Sequence, residues 1–105
     1  MAVRVYSLTS RFPSDERYGL TAQIRRAAFS AAANIAEGSA KRGSREFRRF
    51  LDISLGSLSE VGYCLLLARE IGILQDPEWK ELDDLREEAG RLTWLLYRSM
   101  NPRAH

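Results

Sequence analysis

Apolar residues recur with helical spacing along almost the whole chain, and no segment alternates apolar and polar residues with the period of two expected of a half-buried strand. That single pattern predicts an all-α protein. Proline and glycine punctuate it into four helices. Val3, Val5, Tyr6 and Leu8 predict a short first helix over about residues 2–11, broken at Phe12-Pro13. Ser14 is the expected cap of a second helix over about 14–37, with Asp15 and Glu16 at its positive end and Gly38 after its last turn. Ser44 is the expected cap of a third, over about 44–71, ended at Gly72. Asp76-Pro77-Glu78 opens a fourth, over about 77–99, which Asn101-Pro102 ends.

The apolar lines predict how these helices pack. Leu20, Ile24, Ala27, Ala31 and Ile35 share one face of the second helix. Phe47, Phe50, Leu51, Ser54, Leu58, Val61, Leu65 and Ala68 line the third at close to a heptad spacing, and Leu82, Leu85, Ala89, Leu92 and Leu96 line the fourth. Such repeats on helices joined by short loops predict an antiparallel up-and-down four-helix bundle. At 1.5 Å per residue the third helix is roughly 42 Å long and the first roughly 15 Å. Part of the bundle is therefore left for a partner to cover.

Each long helix also carries apolar groups away from its core line. These are Phe29, Ala32, Ala33 and Ala36 on the second, Gly56, Tyr63 and Leu67 on the third, and Trp94 on the fourth. A helix apolar on two sides is buried on two sides. Phe29, Ala33, Ala36, Gly56, Tyr63, Leu67 and Trp94 are thus the expected contacts of a homo-oligomer. Glycine within a helix costs about 1 kcal/mol relative to alanine, so Gly56 and Gly62 predict close helix approach.

Composition narrows the function. A chain of 105 residues suits one domain, and its single cysteine and single histidine exclude an internal disulfide and the usual zinc ligand sets. No run approaches the roughly 18 apolar residues of a membrane span, and the start lacks a signal peptide's apolar stretch, so a cytoplasmic protein without membrane association is expected. The net charge is only +2, but it is unevenly spread. Residues 1–49 carry ten basic and four acidic groups, or +6, while residues 50–105 carry six and ten, or −4. The basic density peaks at Lys41, Arg42, Arg45, Arg48 and Arg49, and seven carboxylates fall within 76–88.

A polar line crosses the second helix. Gln23, Arg26, Ser30, Asn34 and Glu37 fall within about 80° of one another on a helical wheel. An inter-helix or inter-subunit network is expected there, with Arg26 paired to a carboxylate such as Glu37 or Glu60. Gln23-Ile24-Arg25-Arg26-Ala27-Ala28, Ser30 and Asn34-Ile35-Ala36-Glu37-Gly38 resemble the "four helix bundle protein" family. This is the bacterial 23S rRNA intervening-sequence protein family, related to the accessory variability protein of diversity-generating retroelements. Glu46-Phe47, Phe50-Leu51, Gly56-Ser57-Leu58 and Glu60 agree with it, as do Phe12-Pro13 and Tyr18-Gly19-Leu20 upstream. The resemblance implies an antiparallel four-helix bundle assembled as a homopentameric ring, without established enzymatic activity. Its retroelement relatives bind a reverse transcriptase and nucleic acid through a basic surface. Family members usually carry a longer first helix ahead of the point matching Val5.

Catalytic chemistry finds little support. Gly38-Ser39-Ala40-Lys41-Arg42-Gly43-Ser44 has P-loop glycine spacing but lacks its lysine and the preceding strand. Asp83/Glu87 and Asp84/Glu88 have the spacing to hold a hard cation, but Lys80 and Arg91 make surface ion pairing the expected outcome. Cys64 lies among leucines as a small core residue, His105 is terminal, and no nucleophile, base and orienting group converge. No cofactor is expected. Lys41, Arg42, Arg45, Arg48 and Arg49 crowd the positive end of the third helix, where cations are disfavoured unless an anion offsets them. Two readings follow: a phosphate-backbone contact site on an adaptor for RNA, DNA or a reverse-transcriptase-like protein, or inter-subunit pairing with the acidic 76–88 segment.

Overall fold

The computed structural model describes residues 1–14, 19–41 and 43–100, and all four of its regular elements are helices: α1 (Ala2–Thr9), α2 (Leu20–Ser39), α3 (Ser44–Glu70) and α4 (Asp76–Ser99). Among the described residues there is no strand. The expected starts need correction. α2 begins at Leu20 rather than Ser14, because Gly19 adopts a left-handed conformation (φ 63°) immediately before it. The acidic Asp15 and Glu16 lie outside the described residues. Gly43, not Ser44, stands at the N-cap of α3 with φ 87°, and Gln75, not Asp76, stands before α4. The expected stop of α3 at Gly72 is present, with φ 83° and the Ile73 N–H bonded back to the Ala68 carbonyl at 3.0 Å.

Gly38 does something other than end α2. It lies inside the last turn, buried, and a Cβ built there would stand 2.7 Å from the Phe50 Cβ and 3.0 Å from the Phe47 ring. Its lack of a side chain is needed for packing, not for a cap. The same close approach continues along the pair. Ala27, Ala28 and Ala31 of α2 are buried, and Ser54 of α3 donates its buried hydroxyl to the Ala31 carbonyl at 2.7 Å. Gly38 meets Phe50, and Ala31 meets Ser54, so α2 and α3 run antiparallel. Gly62 beside Arg86, and Gly90 beside Leu58, place α4 antiparallel to α3. What lies against Gly62 is the Arg86 side chain, its Nε 2.9 Å from a would-be Cβ, and not the backbone of a neighbouring helix. Gly56 has nothing within 4 Å within the protomer.

α1 is fastened by side chains from both flanking helices. Arg25 of α2 donates to the Thr9 hydroxyl (2.9 Å) and the Tyr6 carbonyl (3.2 Å) and lies 4.6 Å over the Tyr6 ring. It supplies the cation that favours a helix C-terminus, which α1 itself lacks. Arg4 makes a bidentate pair with Glu81 of α4, at 2.9 Å for the outer nitrogen. Val5 and Leu8 complete a core with Leu20, Ile24, Val61, Leu65 and Leu82.

The helix lengths leave one end incomplete. Eight residues extend α1 by about 12 Å, against about 40 Å for the 27 of α3. Met1 and Ala2 stop beside Ala31, Ile35, Ser54 and Thr93, where a groove of about 170 Å³ opens. Among the described residues, α2, α3 and α4 continue beyond it. The fourth helix departs from its expected core line here: Thr93 is buried and lines the groove, while Leu92 is 53% exposed. α3 is the one described helix long and apolar enough to match a membrane span by length and composition, yet Leu51, Leu58, Val61 and Leu65 on it form the packed core.

Gly38→Ala is expected to lower stability by about 1–3 kcal/mol, the usual cost of overpacking, because its new methyl meets a β-carbon and not a flexible tip. Gly56→Ala, with open space around it, is expected to leave the monomeric fold unharmed or gain up to about 1 kcal/mol. Urea titrations of both variants, with the slope held constant, check the pair.

Candidate nucleic-acid interface at the open end of the bundle

The basic residues sit at the end that α1 does not reach. The short connection after α2 brings Lys41 to the start of α3, and Arg45, Arg48 and Arg49 follow in its first turns. Arg42 lies outside the described residues. The C-terminal ends of α2 and α4 reach the same end, so their carbonyl dipoles offset part of the repulsion from the positive end of α3. This explains how cations are tolerated at an end that looks unfavourable from α3 alone.

Aromatic rings support three of the four described cations, Lys41, Arg48 and Arg49. Arg48 lies 4.2 Å over the Tyr97 ring of α4, Arg49 5.4 Å and Lys41 5.6 Å from the centre of Phe50. Only Arg49 has a carboxylate within 4 Å among the described residues, Glu46 at 3.7 Å. The buried Nε of Arg48 has no hydrogen-bond partner. Trp94 stacks on Tyr97, with ring centres 5.5 Å apart and planes 18° from parallel.

The acidic segment behaves oppositely. Six of its seven carboxylates are paired within the chain: Asp76 with Arg69, Glu81 with Arg4, Asp83 and Glu87 with Arg86, Asp84 with Lys80, and Glu88 with Arg91. Hydrogen bonds from Arg4 and Arg91 hold the Glu81 and Glu88 carboxyls below the usual carboxylate range. Among the described residues no cluster of three or more potential ligands could hold a metal ion.

The polar line of α2 divides in two. Arg26 donates to Gln23 on its own helix, and not to Glu37 or Glu60 as expected, since Gln23 is one turn away on the same face. Asn34 donates to the Ser30 carbonyl (2.8 Å) and hydroxyl (3.1 Å), and Ser30 meets Ser57 of α3 at 2.9 Å. Glu37 and Glu60 stand outside this network, both exposed. Cys64 is buried, and burial pushes its thiol above the ordinary range, with the Glu60 carboxylate adding to the effect.

The residues expected at an oligomer contact are spread over several faces. Phe29 and Tyr63 are 65% and 67% exposed, Ala36 and Gly56 are exposed, and Ala33 is half-buried. Leu67 instead packs against the core of its own protomer, in the last turns of α3 where the chain folds back through Gly72. Trp94 adjoins the basic end. The polar groups that sequence reasoning missed are Ser54, Ser57 and Arg25. Ser54 falls on the apolar line of α3, where nothing in the spacing marks its hydroxyl as a donor, and Arg25 is one arginine among fourteen.

These features define a small all-α protein of four helices with a basic, aromatic-backed end. The chain matches the family described as 23S rRNA-intervening sequence protein over residues 1–94 and belongs to it. A solved structure from Bacteroides thetaiotaomicron VPI-5482, a protein of unknown function from the S23 ribosomal protein family, is similar in fold. The two superpose with a TM-score of 0.81 at 22% identity, covering 91% of this chain and 90% of the other. Comparison with curated proteins gave no match. Neither the family nor the similar structure points to an enzymatic activity.

The Arg4–Glu81 pair makes α1 sensitive to acid. Because Glu81 titrates lower in the folded than in the unfolded chain, its contribution is complete above the unfolded carboxylate pKa and is lost as pH falls through the folded value. Thermal unfolding of Glu81→Gln should therefore lose less stability than the parent over the acid range, while matching Arg4→Gln in that range.

Proposed function

We propose that this protein is a non-enzymatic, homo-oligomeric adaptor that contacts the phosphate backbone of RNA or DNA through Lys41, Arg42, Arg45, Arg48 and Arg49. The observation that carries the reading is the contrast in charge compensation. Six of seven carboxylates in the acidic segment are paired with cations of their own chain, whereas only one of the four described basic residues at the open end has a carboxylate within reach. Guanidinium groups resting on rings keep their N–H edges free for phosphate oxygens. The same contrast weighs against pairing between the basic end of one copy and the acidic segment of the next, because those carboxylates already have partners.

Oligomerisation is part of the proposal. Phe29 and Tyr63 expose large apolar rings, and the groove beyond α1 leaves the bundle open along one side. A homopentameric ring follows by resemblance to the family, as does a nucleic-acid enzyme such as a reverse transcriptase as protein partner. A cytoplasmic setting fits both.

Reversing Lys41, Arg42, Arg45 and Arg49 to glutamate, with Arg48 kept because it supports Tyr97, should abolish retention of RNA and DNA at low salt. The logarithm of the parent's binding constant should fall linearly with the logarithm of salt concentration. Unchanged retention by the reversed variant overturns the phosphate reading. Light scattering of the parent should give a multiple of the 12.0 kDa chain mass, and a stable monomer refutes the assembly.

A further inference from the structure

We infer that the open end takes single-stranded nucleic acid in preference to duplex, with Trp94 as the side chain on which a base stacks; this deepens the nucleic-acid reading above and rests on it. Trp94 and Tyr97 are three residues apart on α4, which places them on neighbouring positions of one helix face. Their rings are stacked at 5.5 Å and 18°, and the Arg48 guanidinium lies 4.2 Å over Tyr97. Indole and guanidinium thus both rest on the Tyr97 ring, which links α4 to the basic start of α3. Trp94 remains 49% exposed.

Arg98 follows Trp94 by four residues and is exposed, and Arg45 is exposed on α3; neither has a carboxylate within 4 Å among the described residues. A second copy of the chain bringing the same end to these rings would set cation against cation. A polyanion with flat π-faces fits both features. In a duplex those faces are already stacked on one another, whereas an unpaired base offers one at little cost. Stacking of this kind tolerates any base, so the site favours strand state over sequence.

The test uses the full chain, a short labelled oligothymidylate and a duplex of equal length, followed by anisotropy at several salt concentrations. The parent should prefer the single strand, and Trp94→Ala should weaken that complex about fivefold to a hundredfold, the range for loss of one stacked base. Duplex affinity and the salt slope should stay as in the parent, and Trp94→Phe should recover most of the loss. A Trp94→Ala protein that binds the single strand like the parent overturns the stacking inference, and so does one that loses both complexes equally or changes particle size. In those cases charge-reversed variants that still lose duplex binding leave the phosphate reading standing. If the parent binds neither probe, both readings fall together.

Discussion

Close approach of α2 and α3 is the constraint on which the other features depend. Buried alanines, Ser54 and Gly38 bring the two backbones near enough that the last turn of α2 rests on Phe50 and Phe47. Small residues remove apolar area that larger side chains would bury, so the pair relies on contact over much of its length to recover it. That length is what α1 does not match. The bundle is thus four helices thick at one end and three at the other, and the basic residues lie at the thinner end.

At the thin end aromatic rings hold Lys41 and Arg48, and Arg49 has both a ring and Glu46 within reach. Phe50 must face Gly38 to close the α2–α3 seam, and Tyr97 lies at the α3–α4 seam beside Arg48. Lys41, Arg48 and Arg49 lay their charges on these rings, an arrangement worth about 0.5–1 kcal/mol at exposed sites. A carboxylate in their place would neutralise the charge. Ring support positions it and leaves it available, which is the property a phosphate-binding surface needs.

The helices themselves were legible because apolar spacing and Pro/Gly punctuation act locally. Asp76-Pro77-Glu78 and Gly72 are sufficient to bracket the α3–α4 turn to within a residue. Boundaries that depend on tertiary geometry were less so. Ser14 looked like a cap, but Gly19 takes a left-handed conformation and α2 starts after it. Gly38 looked like a stop signal, yet the reason for glycine there is a phenylalanine on another helix. The polar line on α2 was visible as a pattern, while its partners were not: Arg26 turned to Gln23, and Ser57, on no predicted polar line, took the bond from α3. Wheel geometry identifies which residues share a face, but not what stands opposite.

The charge distribution gains meaning from these contacts. Read along the chain, +6 and −4 halves look like complementary surfaces that would draw copies together. In the fold six of the ten carboxylates of the acidic half pair with arginines or a lysine of the same chain, several of them about one helical turn away and two, Arg4 and Arg69, reaching across to fasten α1 and the start of α4. Exposed pairs of this kind add little stability each. Their larger effect is to neutralise most of the 76–88 segment locally, while three of the four described cations at the open end have no carboxylate within 4 Å among the described residues. On the proposed reading, this distribution favours an external anion at the open end over attraction between opposite halves of neighbouring copies. The strength of that preference falls with salt, because a Debye length of about 8 Å at physiological ionic strength confines it to a ligand already close to the basic end.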